Sequence, residues 1–284
     1  MMNLDGAVVV ITGGGSGLGA ELGRQLAARG ARLVLLDRDL AAAKSTATSY
    51  PVGIHGQHRA IRADVTSSEA LRRAVAQVVT EFGRIDVIVA NAGIAEAGTV
   101  AVSDIDTLAR TVEVNLTGVI RTVHAFLSHV ISSDGYILLV ASAATLKNVP
   151  GGSAYAASKA GVEAFGGALR LEVAHKGVDV GVAHPAWIRT PMLDAQNEIA
   201  SVAHGIRQLP WPFGVITDVQ DTAAALVDGI EHRRRKIYVP RVLAGVDKVR
   251  GVFTGSLWDA LLKPRVALTV PAIEAEITAR RASK

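Results

Sequence analysis

The stretch Ala7-Val-Val-Val-Ile-Thr-Gly-Gly-Gly-Ser-Gly-Leu-Gly19 joins a short apolar run to a glycine-rich turn, residues 12–19, close to the start of the chain. The apolar run is typical of a buried β-strand, and a helical pattern begins inside the turn. Glycines at such a turn let the backbone approach a pyrophosphate, while the helix N-terminus supplies N–H donors and a positive dipole end. The stretch therefore predicts a nucleotide-binding turn with these contacts: Gly13, Ser16, Gly17, Leu18 and Gly19.

The glycine spacing is Gly-x-x-x-Gly-x-Gly, which differs from the Gly-x-Gly-x-x-Gly of the commonest dinucleotide-binding fold. An ordinary glycine turn is therefore the alternative when this motif is taken alone. The sequence around the motif decides between a nucleotide-binding turn and an ordinary glycine turn.

Beyond the turn, apolar β-rich runs alternate with longer amphipathic segments. The strand-like runs cover residues 7–12, 32–37, 59–64, 87–90, 136–142, 178–184 and 236–239. Helical patterns cover residues 17–29, 68–82, 105–127, 155–175 and 218–231. This alternation predicts an α/β fold: a doubly wound, Rossmann-like parallel sheet of about seven strands with helices on both faces. Ligands bind such sheets at the carboxyl ends of the strands.

The composition suits one such domain and narrows its function. Of the 284 residues, 49% are hydrophobic and only 4% aromatic, which fits parallel strands buried on both faces. The net charge of +4 is dispersed, so we expect no nucleic-acid partner. We interpret the basic run at 233–236 as the cationic end of a helix, with a phosphate or anionic-surface contact as the alternative. No run approaches the roughly 18 to 20 apolar residues of a membrane span.

The chain has no cysteine, which excludes a disulfide, thiolate catalysis and a zinc–thiolate site. This fits a reducing cytosol, and we expect a cytoplasmic protein. His184 and His204 are not spaced like a metal pair, and no carboxylate–histidine cluster accompanies them, so we expect no metal.

Acidic residues follow the second and third predicted strands. Asp37 lies 18 residues after Gly19, where a carboxylate can bind the adenosine ribose hydroxyls and repel a 2′-phosphate. This favours NAD over NADP, although Arg38 could hold a 2′-phosphate if its side chain turned over the ribose. Asp64, followed by Val65, is placed to bond the adenine, and a helix N-terminal cap is the alternative for Asp64.

A tyrosine and a lysine stand one helical turn apart in Ser153-Ala-Tyr-Ala-Ala-Ser-Lys159. A phenol is a poor base, since its ordinary pKa is about 10, but a lysine on the same helix face can favour the phenolate. Lowering the pKa by about two to three units needs roughly 3 to 4 kcal/mol, which a close ammonium and a positively charged nicotinamide could supply. The pair therefore indicates proton transfer near neutral pH.

Together these motifs resemble the short-chain dehydrogenases/reductases in their common single-domain form, over about residues 5–240. The resemblance rests on the glycine turn and on the following residues: Asn91, Ala92, Gly93, Asn115, Ser142, Tyr155 and Lys159. It implies the strand order 3-2-1-4-5-6-7 in a single nucleotide-binding and catalytic domain, residues 1–240. It also implies NAD or NADP across the switch point, hydride transfer between the nicotinamide and a secondary alcohol or ketone, and a homotetramer or homodimer.

Carried onto this chain, the resemblance assigns catalytic roles. Tyr155 would exchange the alcohol proton, and Lys159 would lower its pKa and bond the nicotinamide ribose. Ser142 would hold the substrate oxygen, and Asn115 would bind a water that links Lys159 to solvent. The alternative for Ser142 is a serine that hydrogen-bonds a backbone group at the end of a strand. The alternative for Asn115 is an ordinary polar residue on a helix face. Asn91, Ala92 and Gly93 would leave backbone room for the cofactor, and three further residues would contact it: Pro185, Ile188 and Thr190.

The chain departs from the family pattern at two positions. Ala90 stands where many members have asparagine, and Ala186 stands where glycine is usual. Neither position carries the proton or the hydride, but Ala186 puts the geometry around the nicotinamide carboxamide in question.

We expect substrate specificity to reside in the segment after the sixth strand, residues 192–214, because long loops in compact domains are usually functional. Its apolar side chains include Leu193, Ile199, Ile206, Leu209, Trp211 and Phe213. Such a lining favours a lipophilic alcohol or ketone over a strongly anionic one. The sequence thus predicts an NAD-dependent dehydrogenase for such a substrate. The alternatives to that function are an NADP-dependent carbonyl or 3-oxoacyl-type reductase and a catalytically silent NAD(P)-binding scaffold.

Residues 241–284 continue past the usual end of the family and are interpreted as a C-terminal helical extension. Apolar residues recur at helical spacing over 242–262, which predicts an amphipathic helix. We expect its apolar face to pack on its own domain or on a neighbouring subunit. A cover over the substrate pocket and surface association with a membrane through 242–262 are the alternatives.

Overall fold

The computed structural model describes residues 1–282 of the chain. Their centre is a seven-stranded sheet in which every strand runs parallel to its neighbours. The strands are β1 (Val8–Thr12), β2 (Arg32–Asp37), β3 (Arg59–Arg62), β4 (Val87–Ala90), β5 (Tyr136–Val140), β6 (Asp179–Pro185) and β7 (Lys236–Val239). Their order across the sheet is β3-β2-β1-β4-β5-β6-β7, which confirms the predicted doubly wound sheet and its strand order. Two short strands, Trp187–Ile188 and Ile216–Thr217, pair outside this sheet.

Helices cover both faces of the sheet. In chain order they are α1 (Gly17–Ala27), α2 (Leu40–Ser49), α3 (Ser68–Phe82), α4 (Ile105–Val112), α5 (Gly118–Ser132), α6 (Ser153–Val173), α7 (Pro191–Asn197), α8 (Ala200–Arg207), α9 (Val219–Glu231), α10 (Leu243–Lys248), α11 (Arg250–Phe253) and α12 (Ser256–Ala282). Side chains of β1 alternate between the two faces. Val8 and Val10 pack with α3, α5 and α6, whereas Val9 and Ile11 pack with α1 and α9.

The long helical pattern predicted at 105–127 is interrupted in the structure. Helix α4 passes directly into a π-helical turn, Glu113–Thr117, from which α5 continues to Ser132. Such turns are frequent at functional sites, and this one carries the buried side chain of Asn115. Helix α2 has no strong apolar stripe, since only Ala43 and Ala47 are buried, and the sequence pattern does not predict it.

The chain after β7 forms α10, α11 and α12, where the sequence predicts one amphipathic helix. The rings of Phe253 and Trp258 lie edge-on to Phe213, with centroids 5.1 and 5.8 Å away. The Trp258 indole also donates to the carbonyl oxygen of Asn148 at 2.8 Å. Further along α12, Glu276 accepts hydrogen bonds from the backbone at the start of α8. The contacts with Phe213 and α8 hold α12 against the 192–214 segment. The last two residues of the predicted 241–284 extension lie outside the described residues.

The basic run at 233–236 is held by carboxylates within the fold. Arg233, Arg234 and Lys236 form ion pairs with these partners: Asp179, Asp228, Glu163 and Asp247. Among the helices of residues 1–282, none combines the length and the apolarity that a membrane crossing requires.

Candidate active site

A cavity of about 490 Å³ lies at the carboxyl ends of the strands, facing α7, α8 and α12. Nearly all the predicted site residues line it: Gly13, Ser16, Gly17, Leu18, Asp37, Arg38, Asp64, Val65, Asn91, Ala92, Gly93, Ser142, Tyr155, Lys159, Pro185, Ile188 and Thr190. Gly19 and Asn115 are the two predicted residues that do not line the cavity. The fold therefore brings together residues that are up to 177 positions apart in the chain.

The glycine turn leaves its backbone open to the cavity. Gly13 and Gly17 have φ angles of +65° and +54°, a region that favours glycine. A Cβ on Gly13 would meet the Ala92 backbone at 2.9 Å, whereas the nearest atom to a Cβ on Gly17 would be a Thr190 carbon at 3.7 Å. The space beside Gly17 can therefore admit a ligand. At Gly19 a Cβ would lie 2.2 Å from the Gly13 carbonyl oxygen, so that glycine allows α1 to pack on the turn.

The start of α1 presents N–H donors to the same space. Ser16 is the N-cap residue, and within the described chain its side chain caps no backbone group. Ser16 and Leu18 line the cavity, so the positive end of the helix dipole faces it. The Asn91 side chain holds the turn, because its Nδ2 donates to the carbonyls of Thr12 and Gly13 at 2.9 and 3.2 Å. This open turn with N–H donors fits the pyrophosphate of a dinucleotide.

The Asp37 carboxylate is fixed at the end of β2. It accepts hydrogen bonds from the backbone N–H groups of Gly15 at 2.9 Å and Asp39 at 3.0 Å. A carboxylate has about four acceptor sites, so hydroxyl groups could bind here without displacing these bonds. Arg38 is exposed and lines the cavity beside Asp37. Asp37, which would repel a 2′-phosphate, and Arg38, which could bind one, therefore lie at the same end of the cavity.

Asp64 lies after β3 and is held in its ionised form. Burial alone would raise its pKa, but hydrogen bonds from the Thr66 N–H and hydroxyl, at 2.9 and 2.7 Å, and Arg110 at 3.8 Å hold the pKa of Asp64 below its usual value. The helix-cap alternative for Asp64 is wrong. Ser67 caps α3 and accepts a hydrogen bond from a backbone N–H of its first turn at 3.1 Å.

Ser142, Tyr155 and Lys159 meet at the cavity wall between β5 and α6. Ser142 follows β5, and its Oγ accepts a hydrogen bond from the Ala144 N–H at 3.1 Å. Lys159 lies one turn along α6 from Tyr155, with Nζ 5.8 Å from the centre of the tyrosine ring. The same Nζ donates to the carbonyl oxygen of Val140 at 2.8 Å. The three side chains predicted to act together therefore share one wall.

Burial shifts the pKa of both ionisable members of this group. Desolvation raises the pKa of Tyr155, and a hydrogen bond with Ser142 opposes part of that rise. Desolvation also lowers the pKa of Lys159 to about 8. In the protein alone, the tyrosine pKa therefore moves opposite to the direction predicted from the sequence. The physical reason is that the loss of water around the phenol outweighs the hydrogen bond that favours its ionised form.

Asn115 braces the π-helical turn against the loop after β4. Its Oδ1 accepts from the Ile94 N–H and its Nδ2 donates to the Ile94 carbonyl, both at 2.8 Å. Nδ2 also donates to the Ser158 hydroxyl at 3.3 Å. A Cβ on Gly93 would lie 3.2 Å from Asn115 Oδ1 and 3.5 Å from Lys159 Nζ, so Asn115 and Lys159 both adjoin that glycine. The predicted role of Asn115 in binding a water stays a prediction.

The part of the cavity away from the glycine turn is mostly apolar. Its apolar lining includes Leu193, Val202, Ile206 and Leu209 from the 192–214 segment and Leu262, Val266 and Ile273 from α12. Three apolar residues predicted for the 192–214 segment do not line it: Ile199, Trp211 and Phe213. Trp211 is 74% exposed, whereas Phe213 is buried in a cluster with Trp258. Helix α12 thus supplies cavity wall that the segment alone does not provide.

Lys147, which no sequence motif predicts as a site residue, lines the cavity after the 3₁₀ turn Ala143–Leu146. No local pattern marks it, because a lysine between Ser142 and Tyr155 reads as an ordinary loop cation. Arg265 on α12 also lines the cavity and is exposed. Its position there depends on how α12 packs.

The doubly wound sheet carries an open glycine turn after its first strand. A serine, a tyrosine and a lysine line the same cavity. This combination is typical of a nucleotide-binding oxidoreductase. The chain matches the short chain dehydrogenase family over residues 7–200. It belongs to the short-chain dehydrogenases/reductases, which confirms the resemblance drawn from its motifs.

Individual relatives share much of its length. A Mycobacterium tuberculosis protein named as an oxidoreductase, SadH, is 35% identical over 280 residues, covering 95% of this chain and 99% of that protein. A meso-2,3-butanediol dehydrogenase from Serratia marcescens is 34% identical over 191 residues, covering 67% of this chain and 75% of the relative. A Burkholderia phymatum short chain dehydrogenase/reductase, solved in complex with NAD, matches with a TM-score of 0.76 and 26% identity, covering 87% of this chain and 93% of that one.

Proposed function

We propose that this protein is an NAD-dependent dehydrogenase that interconverts a lipophilic secondary alcohol and its ketone. The observation that carries the proposal is the meeting of Ser142, Tyr155 and Lys159 at one wall of a cavity that also contains the open glycine turn. When bound, NAD supplies the hydride acceptor for alcohol oxidation, and its reduced form supplies the hydride for the reverse reaction. Every other function in the reaction falls to side chains of the chain itself.

Tyr155 is the group that exchanges the proton of the substrate hydroxyl. Tyr155 and Ser142 line the same cavity wall, so both can bond one substrate oxygen. Ser142 donates to that oxygen and stabilises the charge that develops on it, while Tyr155 removes or returns the proton. Because burial raises the tyrosine pKa, proton removal requires positive charge nearby. Lys159, with a pKa of about 8, is mostly protonated at neutral pH and supplies part of it.

Two observations favour NAD over NADP. The Asp37 carboxylate lines the cavity at the end of β2, where it would accept from ribose hydroxyls and repel a 2′-phosphate. The Burkholderia phymatum relative is a complex with NAD. Arg38 lines the same end and supports the second candidate, an NADP-dependent carbonyl or 3-oxoacyl-type reductase.

The apolar part of the cavity favours a lipophilic substrate. We also propose a homodimer or homotetramer, because α4, α5 and α6 each expose a large apolar side chain: Ile105, Ile120 and Leu171. Exposed apolar side chains on neighbouring helices suit a subunit contact. The absence of cysteine fits a cytoplasmic setting.

The first test is steady-state oxidation of secondary alcohols, from small aliphatic to steroid-like, with NAD and NADP in parallel. We expect turnover of bulky apolar members with NAD. Tyr155→Phe removes only the hydroxyl, so kcat should fall by at least about 100-fold while NAD still binds. Tyr50→Phe is the matched control, because the Tyr50 hydroxyl donates to the Ala20 carbonyl away from the cavity, and its kcat should be unchanged. Unchanged kcat in Tyr155→Phe would remove the catalytic assignment, and NAD binding without turnover by any alcohol would favour a silent scaffold.

The cofactor assignment has its own test. Asp37→Ala should weaken NAD binding by roughly 10- to 100-fold, the worth of a charge-assisted hydrogen bond, and should narrow the gap to NADP. Asp39→Ala is the control: its carboxylate caps α2 and does not line the cavity. A ratio of NAD to NADP affinity that is equal in wild type and Asp37→Ala would contradict the assignment.

A further inference from the structure

Lys147 is a buried cation that the proposed reaction does not use. It is only 5% exposed, yet it lines the cavity, and the Phe213 ring centre lies 4.7 Å from its Nζ. Within residues 1–282, no carboxylate pairs with its ammonium, which donates no hydrogen bond to an acceptor of the chain. Burial lowers the pKa of Lys147 to about 8. An ammonium taken out of water without a counterion is costly, so its retention in a ligand cavity points to a ligand.

Among the other cations of the described chain, Arg32 is half-buried and also lacks a carboxylate partner, but it lies outside the cavity with its guanidinium 4.4 Å from the Phe82 ring centre. Two further lysines have partners in the chain. Lys159 donates to the Val140 carbonyl, and Lys236 pairs with Asp247 at 2.7 Å. Glu96 and Arg265 line the cavity but are exposed, so water screens their charges. Lys147 is therefore set apart from these groups by being both buried and without a counterion among the described residues.

The position of Lys147 places this charge at the substrate end of the cavity. It follows β5, whereas the glycine turn follows β1, and its ammonium lies over Phe213 of the 192–214 segment. The 3₁₀ turn Ala143–Leu146 separates Lys147 from Ser142. At about 2 Å per residue, this turn sets a separation on the order of 10 Å along the chain. We therefore infer that an anion at Lys147 is a different group of the substrate from the oxygen at Ser142.

We propose that Lys147 binds a carboxylate of the substrate. The substrate class is then a lipophilic secondary alcohol or ketone that carries a carboxylate several bonds from the reacting carbon, as a hydroxy or oxo fatty acid does. The apolar chain would lie along the lining from α8 and α12, and the carboxylate would supply the missing counterion. The alcohol or ketone part of this substrate class rests on the proposed function, whereas the carboxylate site at Lys147 does not.

The carboxylate site is tested by a binding measurement that needs no turnover. Octanoate and 1-octanol are titrated into the whole protein by calorimetry in the presence of NADH, so that no alcohol is oxidised. We expect wild type to bind octanoate more tightly than 1-octanol, and Lys147→Met to lose roughly 10- to 100-fold in octanoate affinity with little change for 1-octanol. Lys147→Arg keeps the charge and should keep most of the octanoate preference. Lys263→Met, an exposed lysine on α12 outside the cavity, should behave as wild type.

Proton uptake separates a direct contact from a structural effect. At pH 8 about half of the Lys147 side chains are neutral, so a bound carboxylate should draw up to about half a proton from the buffer. Comparing buffers with different ionisation enthalpies measures this uptake. Lys159, Tyr155, Glu96 and Arg265 also line the cavity, and Lys159 has a similar pKa, so the decisive result is loss of the uptake in Lys147→Met.

Each outcome decides the proposal. Wild type that binds octanoate no tighter than 1-octanol, or Lys147→Met with wild-type octanoate affinity, overturns it. If Lys147→Met does not fold, as judged by circular dichroism, Lys147→Gln takes its place with the same expectation. Octanoate binding that depends on Lys147 in a protein without dehydrogenase activity would leave the site standing and remove the proposed function. If turnover is found, an (ω−1)-hydroxy carboxylate should exceed its methyl ester in kcat/KM by a similar 10- to 100-fold in wild type only.

Discussion

Replacing Lys147 by methionine should stabilise the folded protein at neutral pH. Burial lowers the pKa of Lys147 from an ordinary 10.5 to about 8, and each unit corresponds to about 1.36 kcal/mol between the two protonation states. The charged lysine therefore costs the native state about 3 kcal/mol at pH 7. Its contact with the Phe213 ring returns roughly 1 kcal/mol. We expect Lys147→Met to raise the free energy of unfolding by about 2 kcal/mol.

The pH dependence gives this prediction its sign. Folding lowers the pKa of a cation here, so the penalty is fully present below about pH 8 and disappears as the pH rises through 10.5. At pH 9.5 the folded lysine is almost entirely neutral, so the remaining penalty is the cost of deprotonating an ordinary lysine about one pKa unit below its pKa. The gain in Lys147→Met should therefore shrink to about 1 kcal/mol.

Urea unfolding of wild type and Lys147→Met at pH 7 and pH 9.5 measures both values. Lys263→Met serves as the control, because an exposed lysine should change stability by about 0.5 kcal/mol or less at either pH. A Lys147→Met protein no more stable than wild type at pH 7, or a gain that does not fall at pH 9.5, would refute the reasoning. A gain in stability together with weaker octanoate binding would show that the buried charge is kept for its ligand.

Two further substitutions test the geometry around the cavity. Gly19→Ala would place a Cβ 2.2 Å from the Gly13 carbonyl oxygen, so it should cost about 1 to 3 kcal/mol of stability and weaken NAD binding. Gly53→Ala is the control, because a Cβ there meets open space and should change neither quantity. Equal urea midpoints and equal NAD affinities in the two variants would contradict the packing of the turn. Trp258→Ala should cost about 3 to 5 kcal/mol and speed limited proteolysis of α12, whereas Leu257→Ala, at a side chain 72% exposed, should do neither. Identical digestion of both variants would show that Trp258 does not hold α12.

Local sequence pattern was sufficient for the sheet, for the glycine turn and for the candidate proton-transfer pair. The predicted strands at 32–37, 87–90 and 236–239 coincide with β2, β4 and β7, because parallel strands buried on both faces leave continuous apolar runs. The glycine turn and the Tyr155 and Lys159 pair were also readable, since turn conformation and one-turn helical spacing are local properties. Helix α2 escaped prediction because its small residues leave no marked apolar stripe.

The substrate end of the cavity depended on contacts between segments far apart in the chain. Lys147 and Phe213 meet across 66 residues, and the packing of Trp258 with Phe213 is one of the contacts that hold α12 at the cavity. The same packing buries Phe213 while Trp211, two residues earlier, stays exposed. The sequence therefore predicted the fold, the glycine turn and the candidate proton-transfer pair. Only the tertiary structure decided which cation is buried, because burial and the pKa shift that it causes belong to the packing of several segments and not to any one of them.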